Sequence, residues 1–274
     1  MESVISVKNV WLRYGSRHDW ILREINLAVY EGEWVTIVGG NGSGKSTLVR
    51  LFNGLLKPSL GDVTVYGKTT SDVRNLMTIR QHVGMVFQNA DNQIVGVTVQ
   101  EDTIFGLYNI GVAQEQAEHR CRDVLQRLGL YEIKDHPPHL LSGGEKQKLA
   151  IAGVLAMEPK VIVFDECTSM LDSKSAKEVH KIMSDLHNCG FTIIQVTNEI
   201  EEIFTADRLV VMRKGTIRFD GTPREAVDNP AVFKDSALPP LFSVRIHNLL
   251  YASRNLHLPT AIERELADPL WKFV

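Results

Sequence analysis

Trp34-Val35-Thr36-Ile37-Val38-Gly39-Gly40-Asn41-Gly42-Ser43-Gly44-Lys45-Ser46-Thr47 joins a compact apolar run to a glycine-rich one, and Leu48, Val49, Leu51, Phe52 and Leu55 then recur at helical spacing. The order is strand, glycine loop, helix. Gly39, Gly44, Lys45 and Ser46 meet the pattern G-x-x-x-x-G-K-S/T. Glycines let the backbone curl until successive N–H groups, here across Gly40, Asn41, Gly42 and Ser43, face one concavity that can hold phosphate. The helix beginning near Thr47 adds the positive end of its dipole. Lys45 offers a full charge to the outer phosphates, and the Ser46 hydroxyl can coordinate Mg²⁺. A chance match in a chain of this length is on the order of one per cent, and the strand-loop-helix context lowers that further.

Outward from this loop, the first stretch reads as sheet. Short β-rich runs at 5–10, 21–30, Trp34–Val38 and 63–66 are broken by Glu31-Gly32 and Gly61-Asp62. Residues 114–130 and 174–189 read as helices. The apolar runs 161–164 and 193–196 lack alternation, which suits parallel strands covered on both faces. Strands alternating with helices imply an α/β sheet with right-handed crossovers. Arg208–Arg213 and 216–219, separated by Lys214-Gly215, read as a closing hairpin. Thr222-Pro223-Arg224-Glu225 then offers a threonine cap, a proline at the first helical position and a glutamate at the third. Beyond Pro239-Pro240 the chain restarts, with helices expected at 241–252 and 261–267, either packing on their own domain or meeting another subunit.

Composition narrows the function. The 274 residues can bury a sizeable core and suit one large domain with an appendage or two modest domains. Apolar residues at 44% and charged residues at 23% are those of a soluble globular mixture, which argues against disorder. A net charge of −3 with scattered basic residues argues against nucleic acid as a partner. Cys121, Cys167 and Cys189 lie far apart without a CxxC pair, so neither a disulfide framework nor a zinc site is expected, and a reducing cytosol fits. The opening MESVISVKNV lacks a charged stretch before an apolar run, and no apolar stretch approaches the ~20 residues that span a bilayer. The chain is not expected to cross a membrane itself.

Two further elements carry chemistry. Val161-Ile162-Val163-Phe164 ends in Asp165-Glu166, and carboxylates at the carboxyl end of a buried strand open onto the crevice where α/β sheets bind ligands. Asp165 would hold Mg²⁺ through water and Glu166 would polarise the water attacking the γ-phosphate; a solvated turn is the plainer alternative. Leu141-Ser142-Gly143-Gly144-Glu145-Lys146-Gln147-Lys148 leads into an apolar helix. Ser142 and Glu145 have capping-box spacing, while the two glycines leave N–H groups and room for an anion.

The succession of phosphate loop, Gln88, the 141–148 signature, the 161–166 strand with its acids and Ser169-Met170-Leu171-Asp172 resembles the ABC-transporter nucleotide-binding domain over roughly residues 4–225. The resemblance implies a P-loop NTPase of ABC type, with an N-terminal antiparallel β subdomain and a helical signature subdomain. It also implies two domains facing head to tail, so that each ATP lies between one chain's phosphate loop and the other's signature, Ser142, Gly143 and Gly144. On this basis Tyr14 stacks on adenine, the alternative being a packed sheet aromatic. Gln88 senses Mg²⁺ and links to the membrane partner, and Asp172 contacts the opposing domain. Residues 90–98 help form the groove for a transporter's coupling helix. One position departs: where the family places a histidine, Val196-Thr197 is followed by Asn198-Glu199. Asn198 can donate a hydrogen bond but cannot become cationic, so slow hydrolysis at this chain's own phosphate loop is expected.

Phe87-Gln-Asn-Ala-Asp-Asn-Gln-Ile94, Gly96-Val97-Thr98 and Ile151-Ala-Gly-Val-Leu-Ala156, with the 168–172 stretch, resemble the first of the two paired ATPases of energy-coupling factor transporters, the vitamin and metal-ion uptake type. Leu241-Phe242-Ser243 resembles the extension by which those subunits hold each other. The expectation is therefore an ABC domain over 1–228, with its helical subdomain at about 89–158 and a helical extension over 229–274 that contacts a subunit. Its ligands are ATP and Mg²⁺. Its partners are a second ATPase, favoured as a heterodimer with a homodimer also possible, a transmembrane coupling protein and a membrane substrate-capture protein, at the cytoplasmic membrane face. Two rival functions are a soluble ABC-type switch, which lacks support because there is no second nucleotide domain or long coiled-coil insertion, and a subunit that only binds ATP.

Overall fold

The computed structural model describes residues 3–15, 18–229 and 232–233. Strands β1 (Ser3–Leu12) and β2 (Leu22–Tyr30) open the chain as an antiparallel pair. A turn leads to β3 (Trp34–Val38), and the glycine loop delivers the backbone into α1 (Lys45–Phe52). Next come β4 (Leu60–Val65), the two-residue β5 (Lys68–Thr69), α2 (Leu76–His82) and β6 (Val83–Val86). Three helices follow, α3 (Val99–Asn109), α4 (Gln114–Arg127) and α5 (Gly143–Ala156), packed on one another. The chain then re-enters the sheet through β7 (Val161–Asp165), α6 (Ser173–Asn188) and β8 (Thr192–Thr197). It ends its described course with β9 (Arg208–Arg213), β10 (Thr216–Gly221) and α7 (Pro223–Asp228).

Two sheets result. The first is antiparallel in the order β2-β1-β4-β5; the second runs β10-β9-β3-β8-β7-β6, parallel throughout except for the β9–β10 hairpin. All five residues of β7 are buried, and the reason is visible in what each face meets. Val161 and Val163 join Val35, Ile37, Ile194 and Val196 in a core shared with the antiparallel sheet. Ile162 and Phe164 join Trp34, Ile193 and the helices α3 to α6 in a second core. A strand between two cores has no solvent face and so no alternation. Truncating a side chain such as Phe164, fully buried in this way, costs about 3–5 kcal/mol.

The strands and the long helices lie within a few residues of where the sequence places them. Helix α4 stops at Arg127 rather than 130, because Gly129 turns left-handed (φ 69°) and its N–H returns to the Gln126 carbonyl. Helix α6 starts one residue early, capped by Asp172, which accepts from the N–H groups of Lys174 and Ser175. The sequence reading placed no elements at α2, β6 and α3. Four residues of β6 are too few to show a period, and α3 buries polar Asp102 and Thr103 beside Val99, Ile104 and Leu107, which blurs its apolar stripe. A start signal for α3 was present: Thr98 accepts from the N–H of Glu101 at 3.1 Å, three residues on. At α7 the expected box is complete, with Thr222 and Glu225 bonded reciprocally.

The expected helices at 241–252 and 261–267 and the Leu241-Phe242-Ser243 stretch lie outside the described residues. Val232 and Phe233, just past the expected boundary at 228, pack against the small cluster of Val38, Ile203, Leu209, Val211 and Ala226.

Candidate functional site

The glycine loop is held from behind by the β9–β10 turn: the Gly215 N–H donates to the Ser43 carbonyl at 2.9 Å, and the Arg23 N–H to the Gly215 carbonyl at 2.7 Å. No side chain can be added at Gly39, where a Cβ would stand 2.3 Å from the Met212 carbonyl oxygen and 2.7 Å from Ser43 Oγ. Gly44 caps α1 without a side-chain acceptor, leaving the first-turn N–H groups to another partner. The Ser43 hydroxyl is buried and has no hydrogen-bond partner among the described residues. A buried orphan hydroxyl inside a ring of glycines is what a bound phosphate would satisfy, so the loop fits the ligand its sequence implies.

Lys45, the first residue of α1, is only 4% exposed, and its ammonium collects acceptors from three directions. It donates to the carbonyls of Gly39 at 2.7 Å and Gly40 at 3.4 Å and to Asn198 Oδ1 at 2.5 Å, and it pairs with Glu166 Oε1 at 3.3 Å. Strand order explains the meeting, because β8 lies between β3 and β7 with its end beside both. Asn198 just after β8 and Glu166 just after β7 therefore converge on the loop that follows β3.

Asp165 ends β7 and accepts from Ser46 Oγ at 2.7 Å, with Arg50 3.9 Å from its other oxygen. Burial pushes its carboxyl above the ordinary range, and Ser46, Arg50 and Lys45 offset that only in part. Such a carboxylate is short of positive charge. A hydroxyl and a carboxylate side by side at the end of a phosphate loop suit Mg²⁺, which takes most of its remaining ligands from water and the nucleotide. Among the described residues no cluster of three His, Cys, Asp or Glu side chains forms a metal cage.

Glu166 sits at φ 51°, in the left-handed region that a non-glycine residue rarely adopts. Its N–H donates to the Val196 carbonyl at 2.9 Å, and its own carbonyl accepts from the N–H and the Oγ of Ser169 at 3.2 and 2.9 Å. These bonds hold a conformation costing on the order of 1–3 kcal/mol. Ser169, whose role the sequence reading left unassigned, is also where Gln88 arrives, its Nε2 donating to Ser169 Oγ at 3.2 Å. Gln88 and Glu166 are thereby linked through one hydroxyl.

The signature and the loop after Glu166 are joined within the chain. Ser142 and Glu145 form the expected capping box. Of the two glycines, Gly144 is needed for packing: a Cβ there would stand 2.5 Å from Ser175 Oγ. At Gly143 the nearest atom, Leu171 Cδ2, would be 3.8 Å away, so the room for a ligand lies on that side. The Asp172 carboxylate is turned to its own helix, accepting also from Ser175 Oγ at 2.7 Å. The Ser175 hydroxyl bond, with the backbone N–H bonds behind it, holds the carboxyl below its ordinary range. Tyr14 is 47% exposed and so is not a packed sheet aromatic. It lies two residues beyond Leu12, whose strand partner Leu22 reaches the space beside Gly44.

Asp102 is a further site residue the sequence reading passed over. Its Oδ1 accepts from the N–H groups of Val95 at 2.7 Å and Gly96 at 2.9 Å, fixing the loop that follows Gln88. Beside that loop runs a groove of about 310 Å³ lined by Leu55, Met85, Phe87, Val95 and Phe105, among others. Val97 and Tyr108 are exposed apolar residues of the same segment and of α3.

Residues 22–169 match the family model described as ABC transporter. The chain is 41% identical over 275 residues to the energy-coupling factor transporter ATP-binding protein EcfA1 of Halalkalibacterium halodurans, covering 100% of this chain and 99% of that one. It is 37% identical over 276 residues to the EcfA1 of Streptococcus pneumoniae, covering all of both. Among solved structures, cbiO1 from Clostridium perfringens, described as part of the ABC transporter complex cbiONQ, is 35% identical with a TM-score of 0.78, over 92% of this chain and all of that one. The dimeric ATP-binding cassette MJ0796, in a post-hydrolysis state with ADP and Pi, is 31% identical with a TM-score of 0.72, over 80% of this chain and 99% of that one. A family match across more than half of the chain, with relatives aligned end to end, establishes that the chain belongs to the ABC transporter family and groups within it with the energy-coupling factor ATP-binding subunits.

Proposed function

We propose that this chain binds ATP with Mg²⁺ on the loop at residues 39–47, hydrolyses it, and so energises a membrane importer of the energy-coupling factor type for vitamin or metal-ion uptake. The observation that carries the reading is the convergence of Lys45, Glu166 and Asn198, with Ser46 and Asp165 bonded beside them. Lys45 neutralises charge on the outer phosphates while the loop N–H groups orient them. Ser46 and Asp165 would hold Mg²⁺, which would supply neutralisation of phosphate charge. Glu166 accepts the proton of the attacking water, for which its side chain, 15% exposed, remains reachable.

The site is completed by a second ATPase subunit, whose signature approaches this phosphate loop while Ser142 and Gly143 of this chain serve the partner's nucleotide. The dimeric MJ0796 neighbour supports that arrangement. A heterodimer is favoured because Asn198 leaves one site without a titratable switch: this chain's loop binds ATP well and turns it over slowly, and the partner's site carries more of the flux. The apolar groove beside Val95 and Phe105 receives an amphipathic cytoplasmic helix of a transmembrane coupling protein, and a membrane substrate-capture protein completes the importer. Gln88, linked through Ser169 to Glu166, reports occupancy of the groove to the chemistry. Among the described residues no helix is long and apolar enough to cross a membrane, which suits a peripheral subunit on the cytoplasmic face.

The test is to purify the tagged chain from gently solubilised membranes of its host and identify what accompanies it. A second ATPase and multi-span membrane proteins, with Mg²⁺-dependent ATPase activity, are expected. Soluble partners alone would overturn the transporter reading in favour of an ATP-dependent switch.

A further inference from the structure

Behind the phosphate site lies a run of buried polar groups that none of the roles above uses. Trp34 Nε1 and Thr36 Oγ1 both donate to Gln195 Oε1, at 3.2 and 3.3 Å. An indole N–H can only donate, which orients the Gln195 amide and aims its Nε2 at Glu202 Oε2, 2.8 Å away. Glu202 Oε1 takes two more donors, Thr168 Oγ1 at 3.1 Å and His180 Nε2 at 2.6 Å. Every bond therefore runs toward one terminal acceptor. Trp34, Thr36, Gln195 and Thr168 are each less than 9% exposed, and the Glu202 carboxylate 11%.

The placement of these groups gives the run its meaning. Thr168 follows Glu166 by two residues, Gln195 lies on β8 three residues before Asn198, and Glu202 stands in the turn four residues after it. We propose that Glu202 is a positioning residue: its carboxylate ties the loop carrying Glu166 to the strand end carrying Asn198, so that the two groups facing the nucleotide keep one mutual geometry. The backbone bond from Glu166 to Val196 is the first tie between these segments, and the Thr168–Glu202–Gln195 bridge is the second. The carboxylate accepts from all three side chains at once. A glutamine at 202 would either set its NH₂ against the Gln195 NH₂, which cannot accept, or turn it toward Thr168 and His180 and force both of them from donor to acceptor, reversing that arm of the network. The kinetic part of the claim rests on the ATPase reading above; the geometric part does not.

The variants are Glu202→Gln, Thr168→Val and Thr168→Ser in the full-length chain, measured alone and in the complex purified from its host. Thr168→Val keeps shape and loses the hydroxyl, whereas Thr168→Ser keeps the hydroxyl and loses a methyl. We expect single-turnover hydrolysis at saturating ATP to fall about tenfold in Glu202→Gln and Thr168→Val and to return to within about twofold in Thr168→Ser, with ATP affinity changed less than about twofold. A purely structural role predicts that loss of rate and of ATP affinity follow the loss of melting temperature across the three variants, and that result overturns the proposal. Hydrogen exchange of the amides at 166–169 and 197–199 is read in the chain whether or not ATP turns over. A rise of about tenfold at both segments in Glu202→Gln is expected; unchanged exchange sinks the proposal, and a wild-type complex without turnover counts against the ATPase reading alone.

Discussion

Lys45 Nζ donates a 2.5 Å hydrogen bond to Asn198 Oδ1, and the same Asn198 amide donates through Nδ2 to Asn41 Oδ1 at 3.0 Å. One uncharged side chain thus spans the phosphate loop and holds the ammonium that an ATP phosphate would claim. An amide can accept from a lysine and donate to a phosphate, but it gains no charge as the transition state develops.

Replacing it tests that point. Asn198→His in the intact complex is expected to raise single-turnover hydrolysis at this site by on the order of tenfold or more, and to add a titration near the ordinary histidine range to its pH profile. An unchanged rate would remove the idea that Asn198 slows the site.

Glu166→Gln keeps the side-chain shape and loses the carboxylate proposed as the base. Hydrolysis by the complex is expected to drop by about 10²-fold or more, with ATP still bound, since Lys45 keeps its Gly39 and Gly40 contacts. Full retention of activity would favour a subunit that only binds ATP.

Acid should unfold the chain through identifiable carboxyls. Burial pushes Glu202 upward, but hydrogen bonding and charge from His180, with bonds from Thr197 and Thr168, prevail and hold it below its ordinary 4.5. Bonds from the Ser142 side chain and N–H lower Glu145 likewise. For both, the unfolded chain binds more protons in the intervening range. Their stabilisation is therefore fully present above pH 4.5 and is lost as pH falls through the folded values. Asp165, raised by burial, contributes in the opposite sense: its contribution is fully present below the ordinary 3.8 and is lost as pH rises through its folded value. Melting temperature followed from pH 6 downward should fall below about pH 4.5, and Glu202→Gln should flatten part of that slope; equal slopes in both proteins would rule this out.

Val97, two residues beyond Val95 of the groove lining, is 74% exposed. Val97→Glu should leave folding within about 0.5 kcal/mol and ATP affinity untouched, while placing an unpaired charge in any interface formed there. Loss of membrane partners on affinity purification is expected. Recovery of the intact complex would place the coupling protein elsewhere.

Much of the site was legible as residue types at fixed spacings: residues 39–47, the Ser142 capping box and Asp165-Glu166 are local motifs, each with a chemical reason that holds before folding. The antiparallel sheet and the β9–β10 hairpin were legible for a similar reason, since turn residues and alternation are short-range signals. Elements 76–109 were less so, because a four-residue strand and a helix with buried Asp102 carry too little periodicity to show.

The sequence by itself determined that a phosphate loop joins strand to helix, that acids end a second buried strand, and that an uncharged asparagine follows a third. Only the tertiary structure decided that Asn198 grips Lys45, that Ser169 joins Gln88 to Glu166, and that Glu202 gathers Thr168, His180 and Gln195. Those meetings depend on which strands lie side by side. Strand order follows from burying both faces of β3, β7 and β8 between two cores, a condition set by the whole chain and written in no single segment.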